Sequence, residues 1–326
     1  MVASIADRAM PDTAPETAAS PGGSSIPGGS SIPGASPMKI LGIGLPLLYS
    51  AAFFLAPLAF LIVLGFWLVE DFQVVPAFSL ENYLDIAQHM FAKSNYALAI
   101  AQSLWVSLTT AVLAVLVCYP MVLAIVYLAP QSRHRLLLML AVAPFWSSYV
   151  LRLFSWQILL ANKGIINSGL AWAGLENLQF SLIYTQTATR IGLIHYLAPI
   201  LIVVLYVTVA NIDRDLIQAA RDLGATRWQA FRRVILPMSR TGLVVSTSFA
   251  AIVSFGDVLA SALLGGGAGA SILGSVPLFS NMIMSEYASS TNLPRTSALA
   301  MILVLVMILM LAAGAALAER NKPDVT

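Results

Sequence analysis

The chain has 326 residues, of which 59% are hydrophobic and 10% are charged, whereas an ordinary soluble domain has about 25% charged residues. A soluble fold cannot bury so much apolar surface, so the composition predicts that lipid surrounds most of the chain. Most soluble enzymes are thereby excluded, and a net charge of +2 is too small for a nucleic-acid-binding surface. The single cysteine, Cys118, excludes a disulfide framework and a thiolate metal cluster.

The first 38 residues form a segment of their own, rich in Pro, Gly, Ser and Ala. Within it, the hexapeptide 22–27 is repeated at once as 28–33. Such a segment buries too little apolar area to offset the entropy lost on ordering, which predicts a disordered tail over 1–38. The apolar run that follows is too long for the core of a signal peptide, so we expect it to remain as a membrane span.

Six apolar segments after this tail are long enough to cross a bilayer, because about 20 helical residues span its core. The second is the longest, and its length fits one helix that ends near Pro120 or near Pro130. The predicted fold is an all-α integral membrane protein, with one transmembrane domain over 39–320 and a short tail over 321–326. The six segments are 40–69, 94–132, 136–160, 187–210, 242–264 and 297–317.

Basic residues collect in alternate connections between these segments. Arg133 and Arg135 lie between the second and third segments, and Arg320 and Lys322 follow the sixth. Because cytoplasmic connections are enriched in Lys and Arg, both termini are predicted to be cytoplasmic. The connection between the fourth and fifth segments carries six arginines, which are Arg214, Arg221, Arg227, Arg232, Arg233 and Arg240.

That fourth connection, residues 211–241, is called the loop unit below; it is polar and has the pattern of two short helices. Asp213 is placed to cap the first helix, whose apolar residues follow at helical spacing. Gly224 has the position of a left-handed C-terminal cap, and a capping box that begins at Thr226 opens the second helix. We expect Pro237 to end that helix. A structured connection of this kind is typical of a docking element.

An alanine pair, a glycine at a fixed distance and a terminal hydrophobic-Leu-Pro sequence mark the loop unit. Together they resemble the EAA loop of ABC importer permeases, which forms the coupling helix that inserts into a groove of the cytoplasmic ATPase. Gln218 stands where that family usually has Glu. The alternative is an amphipathic helix that lies on anionic headgroups. The resemblance implies that the coupling residues are Gln218, Ala219, Ala220, Gly224, Ile235, Leu236 and Pro237.

Two further stretches narrow the family. Residues 144–156 with 164–167, and residues 254–257 with 263–266, resemble the spermidine/putrescine-type permeases, the PotB-like group. With the loop unit, the resemblance covers about residues 40–320. It implies the type I ABC importer permease fold, with six transmembrane helices and a cytoplasmic coupling-helix loop.

The resemblance also implies a function and a set of partners. The chain would be a permease subunit of an ATP-driven importer in the inner membrane, with a polyamine as its solute. Its partners would be a cytoplasmic ATPase dimer, a second permease subunit, an extracytoplasmic solute-binding protein and membrane lipid. The sequence carries no phosphate-binding loop and no catalytic constellation, so we expect no enzyme activity, no bound cofactor and ATP hydrolysis by the partner. The alternatives are another solute, such as an opine or other amino-acid derivative, ferric ion or a sugar, and a membrane-embedded enzyme or sensor.

Asp257 is an acid well inside a predicted span, where an unpaired carboxylate costs about 2.5–3.5 kcal/mol. One interpretation is a negative point in the pathway of a cationic solute. The alternatives are a structural partner for Arg152 or Arg190, and a water-exposed acid at the outer mouth. His195, in the fourth span, is expected to donate a hydrogen bond between helices.

Aromatic residues surround Arg152 in the third segment. Ammonium groups are attracted to aromatic faces by about 0.5–2 kcal/mol, so Tyr149, Trp156 and Trp146 are candidates for the substrate pathway together with Asp257. The alternative is an interfacial belt of aromatic residues, with Arg152 extending to the outer headgroups.

Overall fold

The computed structural model describes residues 37–71, 73–90, 96–175, 177, 182–266, 278–290 and 292–321. The predicted tails therefore lie outside the described residues, except for residues 37, 38 and 321. The chain divides into two compact units, Met1–Phe54 and Leu55–Thr326. In the first unit, the described residues belong to one apolar helix.

The described part of the chain is mostly helical. A short antiparallel hairpin pairs β1 (Leu68–Glu70) with β2 (Gln73–Val75). In chain order the helices are α1 (Pro37–Leu64), α2 (Glu81–Gln88), α3 (Tyr96–Leu123), α4 (Gln131–Val142), α5 (Tyr149–Leu160), α6 (Ile165–Trp172), α7 (Gln186–Ala210), α8 (Arg214–Asp222), α9 (Arg227–Ala230), α10 (Leu236–Met238), α11 (Arg240–Gly256), α12 (Leu259–Leu264), α13 (Phe279–Ser290) and α14 (Leu293–Arg320).

Four helical stretches among the described residues are long and apolar enough to cross a membrane unaided, and they involve α1, α3, α7 and α14. A π-helical stretch, Ala124–Leu128, prolongs α3, and the backbone becomes extended at Ala129. The second segment is thus one long helix, as predicted, and it ends at the later of the two predicted places. The first span ends at Leu64, five residues earlier than predicted, because the chain turns there and enters β1.

The third predicted span is broken, so the expectation of one helix over 136–160 is wrong. A 3-10 turn, Ala143–Trp146, follows α4, and the backbone is extended at Ser147 and Ser148 before α5 begins. The two halves are bent by 89°. Pro144 has no amide hydrogen with which to continue the hydrogen bonds of α4, and the chain passes through the 3-10 turn there before it becomes extended at Ser147.

The fifth predicted span is broken as well, so a continuous helix over 242–264 is also wrong. Asp257 has an extended backbone with ψ 130°, and it separates α11 from α12. A second bend, of 63°, lies between Met238 and Arg240. Pro237 lies inside α10 rather than ending the helix. When each bent pair counts as one span, the described residues contain six spans by length and composition.

In the second unit, α3, α7 and α11 pack together, and α3 and α11 contribute small residues to this core. Such residues let membrane helices approach each other, and a side chain at Gly242 of α11 would overlap Thr208 of α7. A second core joins α5, α7 and α12, so the breaks in the third and fifth spans lie beside the same helix. The small buried residues of the first core are Ala111, Ala114, Cys118, Ala250 and Ala251.

Candidate functional site

The first helix of the loop unit, α8, is capped at both ends as the sequence predicts. Asp213 Oδ1 accepts the amide hydrogen of Asp215 at 2.9 Å. Gly224 has φ 85°, a left-handed conformation that favours glycine. Apart from the adjacent residues of the chain, no atom of the described residues lies within 4 Å of the place a Cβ would take there. The backbone conformation, and not a shortage of space, therefore selects glycine.

The second helix begins with the predicted capping box. The Thr226 amide donates to Gln229 Oε1 at 2.8 Å, and the Gln229 amide donates to Thr226 Oγ1 at 3.3 Å. These two bonds satisfy free amides of the first turn. The helix then continues through a π-helical stretch, Phe231–Ile235, to the end of α10.

Contacts with α3 hold the loop unit on the helix bundle. The ring of Phe231 lies 6.3 Å from the ring of Tyr119, and the Tyr119 and Ser239 hydroxyl oxygens are 2.7 Å apart. Arg214 Nη2 donates to the carbonyl oxygen of Val126 at 3.4 Å. The orientation of the loop unit is thus tied to the end of α3.

The seven predicted coupling residues lie on two sides of the loop unit. Gln218, Ala219 and Gly224 are exposed, Ile235 is buried, and Ala220, Leu236 and Pro237 are half-buried. The exposed side also carries large apolar residues, since Leu223 is 90% and Trp228 66% exposed. One side of the loop unit therefore packs on the bundle, and the other presents apolar surface that the described chain does not cover.

Asp257 lies at the break between α11 and α12 and is half-buried. Its Oδ1 accepts the amide hydrogen of Ala260 at 2.7 Å, and its Oδ2 accepts the hydroxyl hydrogen of Tyr149 at 2.8 Å. No ion pair joins Asp257 to Arg152 or Arg190 within the described ranges, so the alternative of a direct arginine partner is not found. The C-terminal end of α11 adds the negative end of a helix dipole at the same place.

Tyr149 connects Asp257 to a buried arginine. Its ring centroid lies 4.2 Å from that of Tyr196 on α7, and the guanidinium carbon of Arg152 lies 6.0 Å and 5.6 Å from the two centroids. Arg152 is 8% exposed, so the expectation that it reaches the headgroups is wrong. Cation–π contacts with two rings stabilise it inside the protein.

Trp156 and His195 complete this group across α5 and α7. Trp156 Nε1 donates to His195 Nδ1 at 3.0 Å. The predicted contact between helices exists, but His195 is the acceptor in this bond and not the donor. The term Asp257 cluster is used below for Tyr149, Arg152, Trp156, His195, Tyr196 and Asp257.

Trp146 does not belong to the cluster. It lies on the turn after α4 and is 79% exposed, and within the described residues no ring contact or hydrogen bond joins it to the cluster. Tyr196 belongs to the cluster but was not predicted from the sequence. Its position beside His195 in an apolar helix gives no local signal that it stacks on a tyrosine 47 residues earlier.

Comparisons with known proteins define the family. The family model described as "Binding-protein-dependent transport system inner membrane component" matches residues 135–323, a range that holds the loop unit and the Asp257 cluster. The chain belongs to this family. It is accordingly a multi-pass inner-membrane protein and a transport component, not an enzyme.

Individual relatives agree with this assignment. The spermidine/putrescine transport system permease protein PotB of Haemophilus influenzae is 32% identical over 236 residues, which cover 71% of this chain and 76% of that protein. The inner membrane ABC transporter permease protein YdcU of Escherichia coli is 24% identical over 79% of this chain and 82% of that protein. The chain is thus a permease subunit of an ABC importer, as the sequence predicts.

Solved structures support the fold. A bacterial alginate ABC transporter, crystallised with an alginate pentasaccharide-bound periplasmic protein, superposes with a TM-score of 0.64 and 18% identity. The match covers 86% of this chain and 94% of that chain. The type I permease fold predicted from the sequence is confirmed.

Proposed function

We propose that this chain forms the membrane pathway for a polyamine, and that Asp257 attracts the ammonium groups of the solute. The observation that carries this proposal is the position of the carboxylate, half-buried at a helix break beside the C-terminal end of α11. A helix C-terminus and a carboxylate both favour a cation. The similarity to a spermidine/putrescine permease supports the same class of solute.

The second part of the proposal concerns the loop unit, which we infer docks on a cytoplasmic ATPase. Its exposed side offers Leu223 and Trp228 as an apolar contact surface, and its other side is tied to α3 through Tyr119 and Ser239. A movement of the ATPase would therefore move the end of α3 together with the loop unit. The coupling role of Gln218, Ala219, Ala220, Gly224, Ile235, Leu236 and Pro237 is part of this proposal.

The same assembly would include a second permease subunit, an ATPase dimer and an extracytoplasmic solute-binding protein. The chain itself would bind no cofactor, and the ATPase would hydrolyse ATP. Placing the arginine-rich loop unit in the cytoplasm puts both termini on that side.

The deciding experiment measures ATP hydrolysis by the reconstituted complex with its cognate binding protein. We expect putrescine or spermidine to raise the rate above that with solute-free binding protein. Stimulation by only another solute, such as an amino-acid derivative, ferric ion or a sugar, would keep the importer and discard the polyamine. No stimulation by any solute, with an assembled complex, would contradict the coupling role of the loop unit.

A further inference from the structure

Arg152 is the member of the Asp257 cluster that the proposed function leaves unexplained. Its side chain is 8% exposed, and its Nε and Nη1 atoms are covered and have no hydrogen-bond partner in the part of the chain that the structure describes. A buried charged group without hydrogen bonds is strongly destabilising. A guanidinium stays protonated, so it keeps its charge and its N–H donors. The acceptor for these donors has to come from a group other than the described residues of this chain.

The nearby acid does not supply that acceptor. The Asp257 oxygens accept from the Tyr149 hydroxyl and the Ala260 amide, and among the described residues neither oxygen accepts from the covered Nε or Nη1 of Arg152. Tyr149 separates the two charges, because its hydroxyl binds the carboxylate while the guanidinium carbon lies 6.0 Å from its ring centroid. A carboxylate and a guanidinium are thus held near each other without neutralising each other.

We propose that Arg152 is a second recognition group of the pathway and that the solute is an amine that also carries an oxygen acceptor, as an N-acylated or carboxylated polyamine does. This inference rests on the proposed function, since Asp257 has to hold the ammonium group of the solute. That ammonium displaces the Tyr149 hydroxyl from the carboxylate. The tyrosine ring then moves aside and uncovers the Nε–H and Nη1–H donors for a carbonyl or carboxylate oxygen.

A plain diamine fits the pair of Asp257 and Arg152 less well, because it offers no acceptor to the guanidinium. Its second ammonium would approach a guanidinium that stays charged, and like charges repel strongly in a site with a low dielectric constant. The ring of Tyr196 on α7 still stabilises the guanidinium where it is. An amide or carboxylate at that end of the solute instead supplies the missing acceptor, and a hydrogen bond to a charged donor is a strong one.

The test compares three amines with the same four-carbon chain and one ammonium group: N-acetylputrescine, 4-aminobutyrate and butylamine. Binding of each labelled amine is measured by equilibrium dialysis on the assembled permease–ATPase complex in nanodiscs, without the binding protein. We expect the two amines with an acceptor to bind about tenfold more tightly than butylamine. Arg152→Gln should remove this preference, so that the three amines bind with similar affinity, whereas Asp257→Asn should weaken the binding of all three.

Arg190→Gln is the matched control, because Arg190 donates to Thr109 and Gln186 and lies outside the cluster. It should keep the preference. Arg152→Lys, checked for copurification with the ATPase, guards against misfolding; it keeps a charged donor and should retain part of the preference for N-acetylputrescine over butylamine. Equal binding of the three amines by the wild type, a preference that survives Arg152→Gln, or no binding of any amine overturns the inference. Putrescine-stimulated ATP hydrolysis tests the proposed function separately, and it can succeed while this inference fails.

Discussion

The loop unit and the Asp257 cluster are both built at helix ends, but the hydrogen bonds that shape those ends differ in range. The caps of the loop unit join residues at most five apart in the chain. In the cluster, the bond from Tyr149 to Asp257 joins residues 108 apart, and the bond from Trp156 to His195 joins residues 39 apart. The caps of the loop unit therefore form from neighbouring residues, and the loop unit can keep its shape while it docks on a partner. The hydrogen bonds of the Asp257 cluster join different helices, so they change when those helices move.

The largest expected effect comes from a substitution that disturbs a local cap of the loop unit. Gly224→Val forces a branched side chain into a left-handed conformation, which costs an L-residue about 1–2 kcal/mol or more. The cost is relieved by turning α8 away from α9, so the exposed side of the loop unit loses its shape. We expect solute-stimulated ATP hydrolysis to fall at least tenfold, with an unchanged amount of protein in the membrane.

Gly174→Val is the matched control for that substitution. Gly174 has φ 75° and, like Gly224, no atom within 4 Å of the place a Cβ would take, but it follows α6 and lies outside the loop unit. It suffers the same local strain and should retain most of the stimulated activity. An equal loss in both variants would mean that general strain, and not coupling, explains the result.

The next largest effect tests the Asp257 cluster, whose hydrogen bonds join residues far apart in the chain. Asp257→Asn keeps an oxygen for the Ala260 amide and can donate its side-chain amide hydrogen to the Tyr149 hydroxyl oxygen. It removes the negative charge, so putrescine uptake should fall about tenfold while the complex still assembles. Glu319→Gln, which neutralises an exposed acid near the end of α14, should leave uptake unchanged. Normal uptake by Asp257→Asn would retire the pathway role of this carboxylate.

The two regions also differ in how far their structure could be predicted. The cap at Asp213, the left-handed Gly224 and the capping box at Thr226 follow from the sequence, because each depends on neighbours in the chain. The breaks at Ser147 and Asp257 do not follow from composition, since an apolar segment has the same hydropathy whether it is one helix or two.

The buried state of Arg152 shows why the cluster was only partly predicted. An arginine near the end of an apolar segment ordinarily extends to the headgroups, and its aromatic neighbours in the sequence do not tell which helix it would face instead. The rings that stabilise it come from two helices, and the tyrosine on α7 was not predicted at all. Asp257 and Tyr149 were predicted as pathway residues, but their direct hydrogen bond depends on the break that the sequence conceals.

A smaller effect distinguishes a role of the loop unit in docking on the ATPase from a role in the stability of the fold. Leu223 is 90% exposed, so Leu223→Ser should change the free energy of unfolding by less than about 0.5 kcal/mol. Its loss from an apolar interface should still weaken copurification of the ATPase about fivefold. Leu84→Ser, on an exposed leucine of α2, should leave the copurification unchanged. A lowered melting temperature with normal copurification would assign Leu223 to the fold.

The smallest expected effect comes from removing the same type of helix cap in two places, on the short helix α9 of the loop unit and on the long helix α7 of the bundle. Thr226 caps α9, and Thr185 caps α7, each through its hydroxyl oxygen and the amide three residues later. Loss of such a cap costs about 1 kcal/mol. After Thr226→Ala this cost falls on a short helix, so hydrogen exchange at the Gln229 amide should rise about fivefold and Thr226→Ser should restore its protection. After Thr185→Ala the amides inside α7 should keep their protection, because the buried contacts of that helix with α3 and α11 hold it without the cap. Equal fraying of both helices would show that the loop unit depends on the bundle as much as α7 does, and that its local caps do not make it a separate piece.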